Sequence, residues 1–207
     1  MTQVYPKPQL SMKRTSLTDL PVIDLPDGYT YRSFNDGDDA YWEAIIQDSF
    51  NAQISFEQRL RPDPAFRPER VFFVCHDGIP VATASAWFRD NWGESTGYLH
   101  MVGIKQSHSG RGLGLQASLL ALRYMSSHEG FDQCVLETDD FRIPAIRTYK
   151  KLGFVPNIVH PNQPLRWKKI SEECKFELPW GRAVAGDQVF KIHNEQDWDV
   201  VHRIMNE

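Results

Sequence analysis

Little in this chain points to a metal, a disulfide framework or a membrane. It has three cysteines, Cys75, Cys134 and Cys174, without metal-type spacing. Two of them lie in apolar, strand-like runs where a thiol serves as a small core side chain, so a reducing compartment is expected. Seven histidines show no H-E-x-x-H motif and no paired spacing, and no metal site is expected. No apolar run approaches the length of a membrane span, and the N-terminus lacks a continuous apolar h-region, so the expectation is a cytoplasmic protein that neither inserts into a membrane nor is secreted. Neither sign of charge dominates. The 23 Lys and Arg against 27 Asp and Glu leave a net charge of −4, which does not favour non-specific nucleic-acid binding and makes any grip on an anion a local matter.

What the chain does have is length and apolar content for one well-filled domain: 207 residues, 41% of them hydrophobic. Residues 1–27, with Pro6, Pro8, Pro21 and Pro26, show no clean period and read as a mostly irregular arm packed on the domain. A core is expected over 28–160 and a C-terminal extension, packed on the same domain, over 161–207. Within the core, Gly28 to Phe34 alternates like a strand, and Tyr41, Trp42, Ile45, Ile46 and Phe50 recur at helical spacing. The connection from Asn51 to Arg70 is broken by prolines around a short helical piece at Phe56 to Leu60. Val71 to His76 and Ile79 to Phe88, joined by Asp77-Gly78, predict a hairpin. The tail, with Trp167, Trp180 and Trp198, predicts further strands and a helix near Trp198 to Met205.

The chain is organised around residues 97–122, GYLHMVGIKQSHSGRGLGLQASLLAL. The stretch reads as a buried strand, a loop with glycines at 110, 112 and 114, and an amphipathic helix running to about Glu129, where Gly130 stops it. Glycines at a helix start let successive backbone N–H groups close around an anion at the positive end of the helix dipole, and a phosphate is the obvious guest. Leu115 and Gln116 after Gly114 exclude a Walker loop, which needs Lys and Ser or Thr there. A dinucleotide fingerprint fits weakly, because the spacing is G-x-G-x-G and Lys105 to Ser109 separate it from the strand, although Glu137 mimics the distal acidic residue of that motif. Gly103 inside the strand predicts a bulge or close approach of another group.

Ser109-Gly110-Arg111-Gly112-Leu113-Gly114 resembles the pyrophosphate loop of the GNAT acyltransferase superfamily, with Ser109 standing where that family usually has Arg or Gln. The segment Val135 to Val155, with Ala145, Tyr149, Gly153 and Phe154 in register, resembles the family's second signature, with Arg142 where an Asn is frequent. The resemblance implies an α/β fold: a mixed, largely antiparallel twisted sheet of about seven strands, splayed at the cofactor cleft and flanked by about four helices. It implies transfer of an acetyl or other acyl group from acetyl-CoA to a primary amine of a small molecule or an amino terminus. CoA would be held by Ser109 to Leu115, with Arg142 on its phosphates, and by backbone around Val102, Gly103 and Ile104 on its acyl arm.

Two catalytic candidates follow. Tyr149 occupies the position of the family's general acid, where a phenol of ordinary pKa about 10 meets a departing thiolate of about 8.5. His100, on the central strand and near pKa 6.5 when unperturbed, is the candidate base for the amine's proton, with Glu137 as its rival. His108 reads as a loop residue rather than a ligand. Arg142, Arg147, Lys150 and Lys151 form a basic helix face. Trp42, Phe56, Arg59 and Arg61 border the expected acceptor site, and tail aromatics offer a surface for a homodimer. Two other readings share the glycine loop: a non-catalytic acyl-CoA-binding module, and a nucleotide-binding oxidoreductase.

Overall fold

The computed structural model describes residues 8–173, 181–186 and 188–206. Pro6, Cys174 and Trp180 lie outside the described residues. Contacts divide the chain into two compact units, residues 15–135 and the described residues before 15 and after 135. The chain opens with β1 (Leu10–Arg14), runs through the first unit, and returns to the unit that holds β1.

The first unit contains β2 (Tyr29–Ser33), α1 (Asp39–Phe50), α2 (Phe56–Arg59), β3 (Val71–His76), β4 (Ile79–Phe88), β5 (Thr96–Ile104), α3 (Leu113–Ser127) and the start of β6 (Gln133–Thr138). The strands β2 to β5 pair antiparallel in sequence order. The hairpin between β3 and β4 turns on Asp77 and Gly78, both at positive φ (50° and 78°), as a two-residue turn matched to strand twist requires. β3 is apolar on both faces because both are covered. Phe72 faces Tyr124 of α3, with ring centroids 5.6 Å apart, while Val71, Phe73 and Cys75 join Trp42, Ile45, Ile46 and Phe56 beneath α1 and α2. In that cluster Phe34 stacks on Phe56 at 4.9 Å and Trp42 meets the same ring edge-on at 5.3 Å.

Residues 15–27 follow the expected irregular course and are held to this unit through backbone groups. Asp24 donates its N–H to Gln116 Oε1 at 2.9 Å, and Arg123 donates to the carbonyls of Leu20 and Pro21. Residues 10–14 depart from the expectation. Leu10 and Met12 are wholly buried and the segment is a strand, because its alternating pattern, too short to stand out between prolines, finds β7 (Val155–Asn157) as an antiparallel partner.

In the second unit α4 (Ile143–Lys151) leads to β7, then α5 (Gln163–Glu173), β8 (Gly181–Ala185), β9 (Gln188–Ile192) and α6 (Glu195–Ile204). β8 pairs parallel with β7 and antiparallel with β9. The tail strands and the final helix fall where expected. α5 does not, since helix was not expected there, yet Trp167, Ile170 and Ser171 are buried at helical spacing. α6 starts on a capping box between Asn194 and Asp197. Nine strands and six α-helices among the described residues exceed the expected numbers, while the mixed α/β class holds. No helix among the described residues is long and apolar enough to cross a membrane.

Candidate functional site

The glycine loop lies between β5 and α3. Gly110 and Gly112 both sit at φ +76°, a region that disfavours any residue with a Cβ, and a short 3₁₀ turn at Gln106–His108 precedes them. Gly114 is needed for a different reason: an added Cβ would come within 2.8 Å of Ile104 Cδ1, so its absence seats α3 against β5. The amides of Leu115 and Gln116 already bond to the Gly112 carbonyl. Those of Gly110, Arg111, Gly112, Leu113 and Gly114 have no acceptor among the described residues. Five donors without an acceptor among the described residues therefore crowd the positive end of a 15-residue helix, an arrangement suited to an oxyanion.

Ser109 is turned back on the preceding turn. Its N–H and its hydroxyl both donate to the Gln106 carbonyl, at 3.1 and 2.7 Å, so both donors close the 3₁₀ turn instead of facing a ligand. Arg111 is exposed with no ion pair among the described residues. His108 accepts or donates a 2.8 Å bond with the Tyr29 hydroxyl, which ties the loop to β2.

β5 carries the expected irregularity, two residues earlier than Gly103. The ladder with β4 runs Thr83↔Gly103 and then Ser85↔His100, so β5 holds one extra residue at Met101–Val102, and Met101 has φ +49°. Gly103 itself is in register. Its missing side chain admits α1, since a Cβ would lie 3.0 Å from Ile46 Cδ1 and 3.2 Å from Ile45 Cγ2. The parallel ladder with β6 pairs Thr96, Gly97 and Tyr98 with Gln133, Cys134 and Val135, and β5 runs on to Ile104.

His100 is buried between rings, 5.7 Å from Trp87 and 5.3 Å from Tyr98 by centroid. Burial first, then the positive charges of Arg89 and Arg59, push its pKa down to about 3. A base that weak holds no proton at neutral pH, so the structure sets His100 up as a neutral hydrogen-bonding group and argues against storage of the amine's proton there. Of the expected acceptor-site residues, Trp42 and Phe56 are wholly buried in the core. Arg61 is held by Asp39 and Glu57, which leaves Arg59 exposed beside them. An open hollow of about 420 Å³ on α1 and the 53–58 turn, lined by Glu43, Gln47, Gln53, Ile54, Ser55 and Gln58, contains none of the predicted residues.

In the second unit, the Tyr149 motif resolves into a helix ending. The Phe154 N–H bonds to the Tyr149 carbonyl and the Gly153 N–H to that of Lys150, with Gly153 at φ +80°, and the two rings meet at 6.1 Å. These are the paired bonds and apolar contact of a Schellman stop, and they fix the Tyr149 ring by its position three residues before the cap. Burial pushes the phenol up to about 12, against a smaller opposing pull from Arg142, and its hydroxyl has no partner among the described residues. α4 has no side-chain cap at its N-terminus. Arg142 occupies the cap position and its Nε donates to Asp139 at 3.0 Å, so its charge is already matched. Glu137 is exposed on β6. Sequence reasoning passed over Ser85 and Arg89, whose only signal was the second of two hydroxyls inside the apolar run IPVATASAWF and one cation after its end.

The profile of the acetyltransferase (GNAT) family matches residues 31–154. The chain belongs to the GNAT family. It is 30% identical over 165 residues to the mycothiol acetyltransferase of Frankia casuarinae, covering 71% of this chain and 47% of that one. The mycothiol acetyltransferase of Streptomyces coelicolor is 31% identical over 157 residues, covering 71% and 50%. The chain thus spans about half the length of the curated relatives it matches. Among solved structures it is similar to a GCN5-related N-acetyltransferase from Kribbella flavida, with TM-score 0.54 and 25% identity over 72% of this chain and 55% of that one.

Proposed function

We propose that the chain is an N-acyltransferase that moves an acetyl group from acetyl-CoA to a primary amine of a small molecule or an amino terminus. The observation that carries this reading is the set of five amides at Gly110 to Gly114 without an acceptor among the described residues, a run of donors whose polarity suits a diphosphate. The family and the acetyltransferase relatives support acetyl as the group moved.

Acetyl-CoA supplies an activated carbonyl and a sulfur leaving group. In the transfer an N–C bond forms, the C–S bond breaks, the amine loses a proton and the thiolate gains one. The Gly110 to Gly114 amides hold the diphosphate, and exposed Arg111 adds a positive charge to the same loop. The bulge at Met101–Val102 turns β5 backbone groups out of the ladder toward the acyl arm. Tyr149 donates its hydroxyl hydrogen to the departing sulfur. With the phenol near 12 and a thiol near 8.5, full transfer runs uphill, so the hydroxyl acts by hydrogen bonding to the developing charge. The buried thiols Cys75 and Cys134, neither of them in a disulfide, suit the cytoplasm, which is the proposed location.

The test is release of free thiol from acetyl-CoA by the purified protein across an amine panel. Amine-dependent release is the expected result. CoA binding without release on any amine would establish the binding-module reading, and tighter binding of NAD(P) than of CoA would favour an oxidoreductase.

A further inference from the structure

The β4–β5 face that carries His100 holds groups the transfer chemistry does not use. The register sets Ser85 opposite His100 and Trp87 opposite Tyr98, so these four side chains share one face. Ser85 is 0% exposed and His100 is 7% exposed. Neither Ser85 Oγ nor the His100 ring has a hydrogen-bond partner among the described residues. Arg89 leaves the end of β4 with its guanidinium 4.8 Å from the Tyr98 ring centre, and its Nε is buried and unpaired. The Trp87 indole N–H is buried and unpaired as well. Arg59 closes α2, whose Phe56 packs in the same cluster as Trp87 and Tyr98, and it forms no ion pair among the described residues. Both arginine charges act on His100, and neither arginine forms an ion pair among the described residues.

A surface whose unmet groups are hydrogen-bond donors and whose uncompensated charges are positive is complementary to an oxyanion. Placed on the face that also holds the candidate catalytic strand, it selects among acceptors. We propose that the acceptor amine also carries an oxyanion, gripped by Arg89 and Arg59 with Ser85 beneath it. A carboxylate is the guest that one guanidinium fork takes in two parallel bonds, and a phosphonate shares the chemistry in a larger form. The proposal rests on the acyltransferase reading for its catalytic consequence, but the anion site itself does not depend on turnover.

The experiment sets α-, β-, γ- and longer-chain amino acids each against its carboxamide and its aminoalkylphosphonate, with thiol release as the readout. At least one acid is expected to exceed its carboxamide about tenfold or more in kcat/KM, the scale of a charge-assisted bond. The phosphonate arm then reports whether the site takes the larger anion. Arg89→Gln and, at an exposed position, Arg59→Gln are expected to raise KM for the acid about tenfold, with kcat little changed and the carboxamide unaffected; Arg89→Lys should recover part of the loss. Carboxamides used as well as acids, or variants that slow both alike, would overturn the proposal. Should no amine release thiol, the acyltransferase reading falls, and calorimetric titration of the same acids decides the anion site. Binding lost in Arg89→Gln supports it, and no binding by the unmodified protein overturns it.

Discussion

Replacing Tyr149 by Phe removes one oxygen and nothing that folding uses. The ring keeps its 6.1 Å contact with Phe154, the two bonds of the helix stop are backbone to backbone, and the lost hydroxyl has no partner within the described residues. Stability should therefore stay within about 0.5 kcal/mol of the parent. A hydrogen bond to a charged group contributes about 1.5–3 kcal/mol, so withdrawing it from the departing sulfur lowers kcat roughly 10- to 150-fold. Because burial holds the phenol near 12, its hydrogen stays in place across the working range, and the parent's rate should not fall on its account below about pH 10. The assay is thiol release at saturating acetyl-CoA, with the KM for acetyl-CoA followed alongside. A kcat within twofold of the parent refutes the assignment. So does a raised KM at constant kcat, which would make the hydroxyl a ground-state contact.

His100 gives a pH prediction. Its folded pKa, pushed down to about 3, lies below the unfolded value of about 6.5, so between these the unfolded chain binds the extra proton and stability falls as pH drops, by up to about 5 kcal/mol for this group. His100→Gln should flatten that acid limb in urea-unfolding midpoints, and an unchanged limb would count against a buried neutral imidazole. Gly112→Ala places a Cβ at φ +76° with no heavy atom within 4 Å, so its whole cost, about 1–2 kcal/mol, is conformational; calorimetry should show weakened CoA binding, and unaltered affinity would remove the loop from the site. Gly114→Ala drives a Cβ to 2.8 Å from Ile104 Cδ1 and should destabilise by about 1–3 kcal/mol, with Ile104→Val restoring most of it in a double-mutant cycle.

The parts of the fold that were legible in the sequence are those written in local chemistry. Asp77-Gly78 needs two positive φ angles, which names the hairpin, and Gly153 names the end of α4 for the same reason. β1 was hidden because five residues between prolines carry too few periods to register, and only a partner strand far along the chain stabilises them. α5 was hidden because Trp167, Ile170 and Ser171 mix polar and apolar side chains on one buried face, a pattern that composition reads as irregular. The phosphate loop was legible as glycines. Nothing in the sequence shows the Ser109 hydroxyl turning back to Gln106.

The face proposed to receive the acceptor was illegible for a reason of arithmetic. Side chains alternate along a strand, so one extra residue reverses which ones face which layer. Counted back from Thr83↔Gly103 without a bulge, Ser85 would oppose Met101 and Trp87 would oppose Leu99. The residue inserted at Met101–Val102, strained at φ +49°, instead turns His100 and Tyr98 toward Ser85, Trp87 and α1, and sends Gly97 to Met125 and Phe131 under α3. On both sides of the bulge the α1 layer gets what it needs, a Cβ-free Gly103 beneath Ile45 and Ile46 and a row of rings beside Arg89. A single backbone irregularity thus breaks the ladder where the acyl arm is proposed to lie and brings together the unpaired donors proposed to choose the acceptor, and period counting on the sequence, which assumes an unbroken ladder, assigns those side chains to the opposite layer.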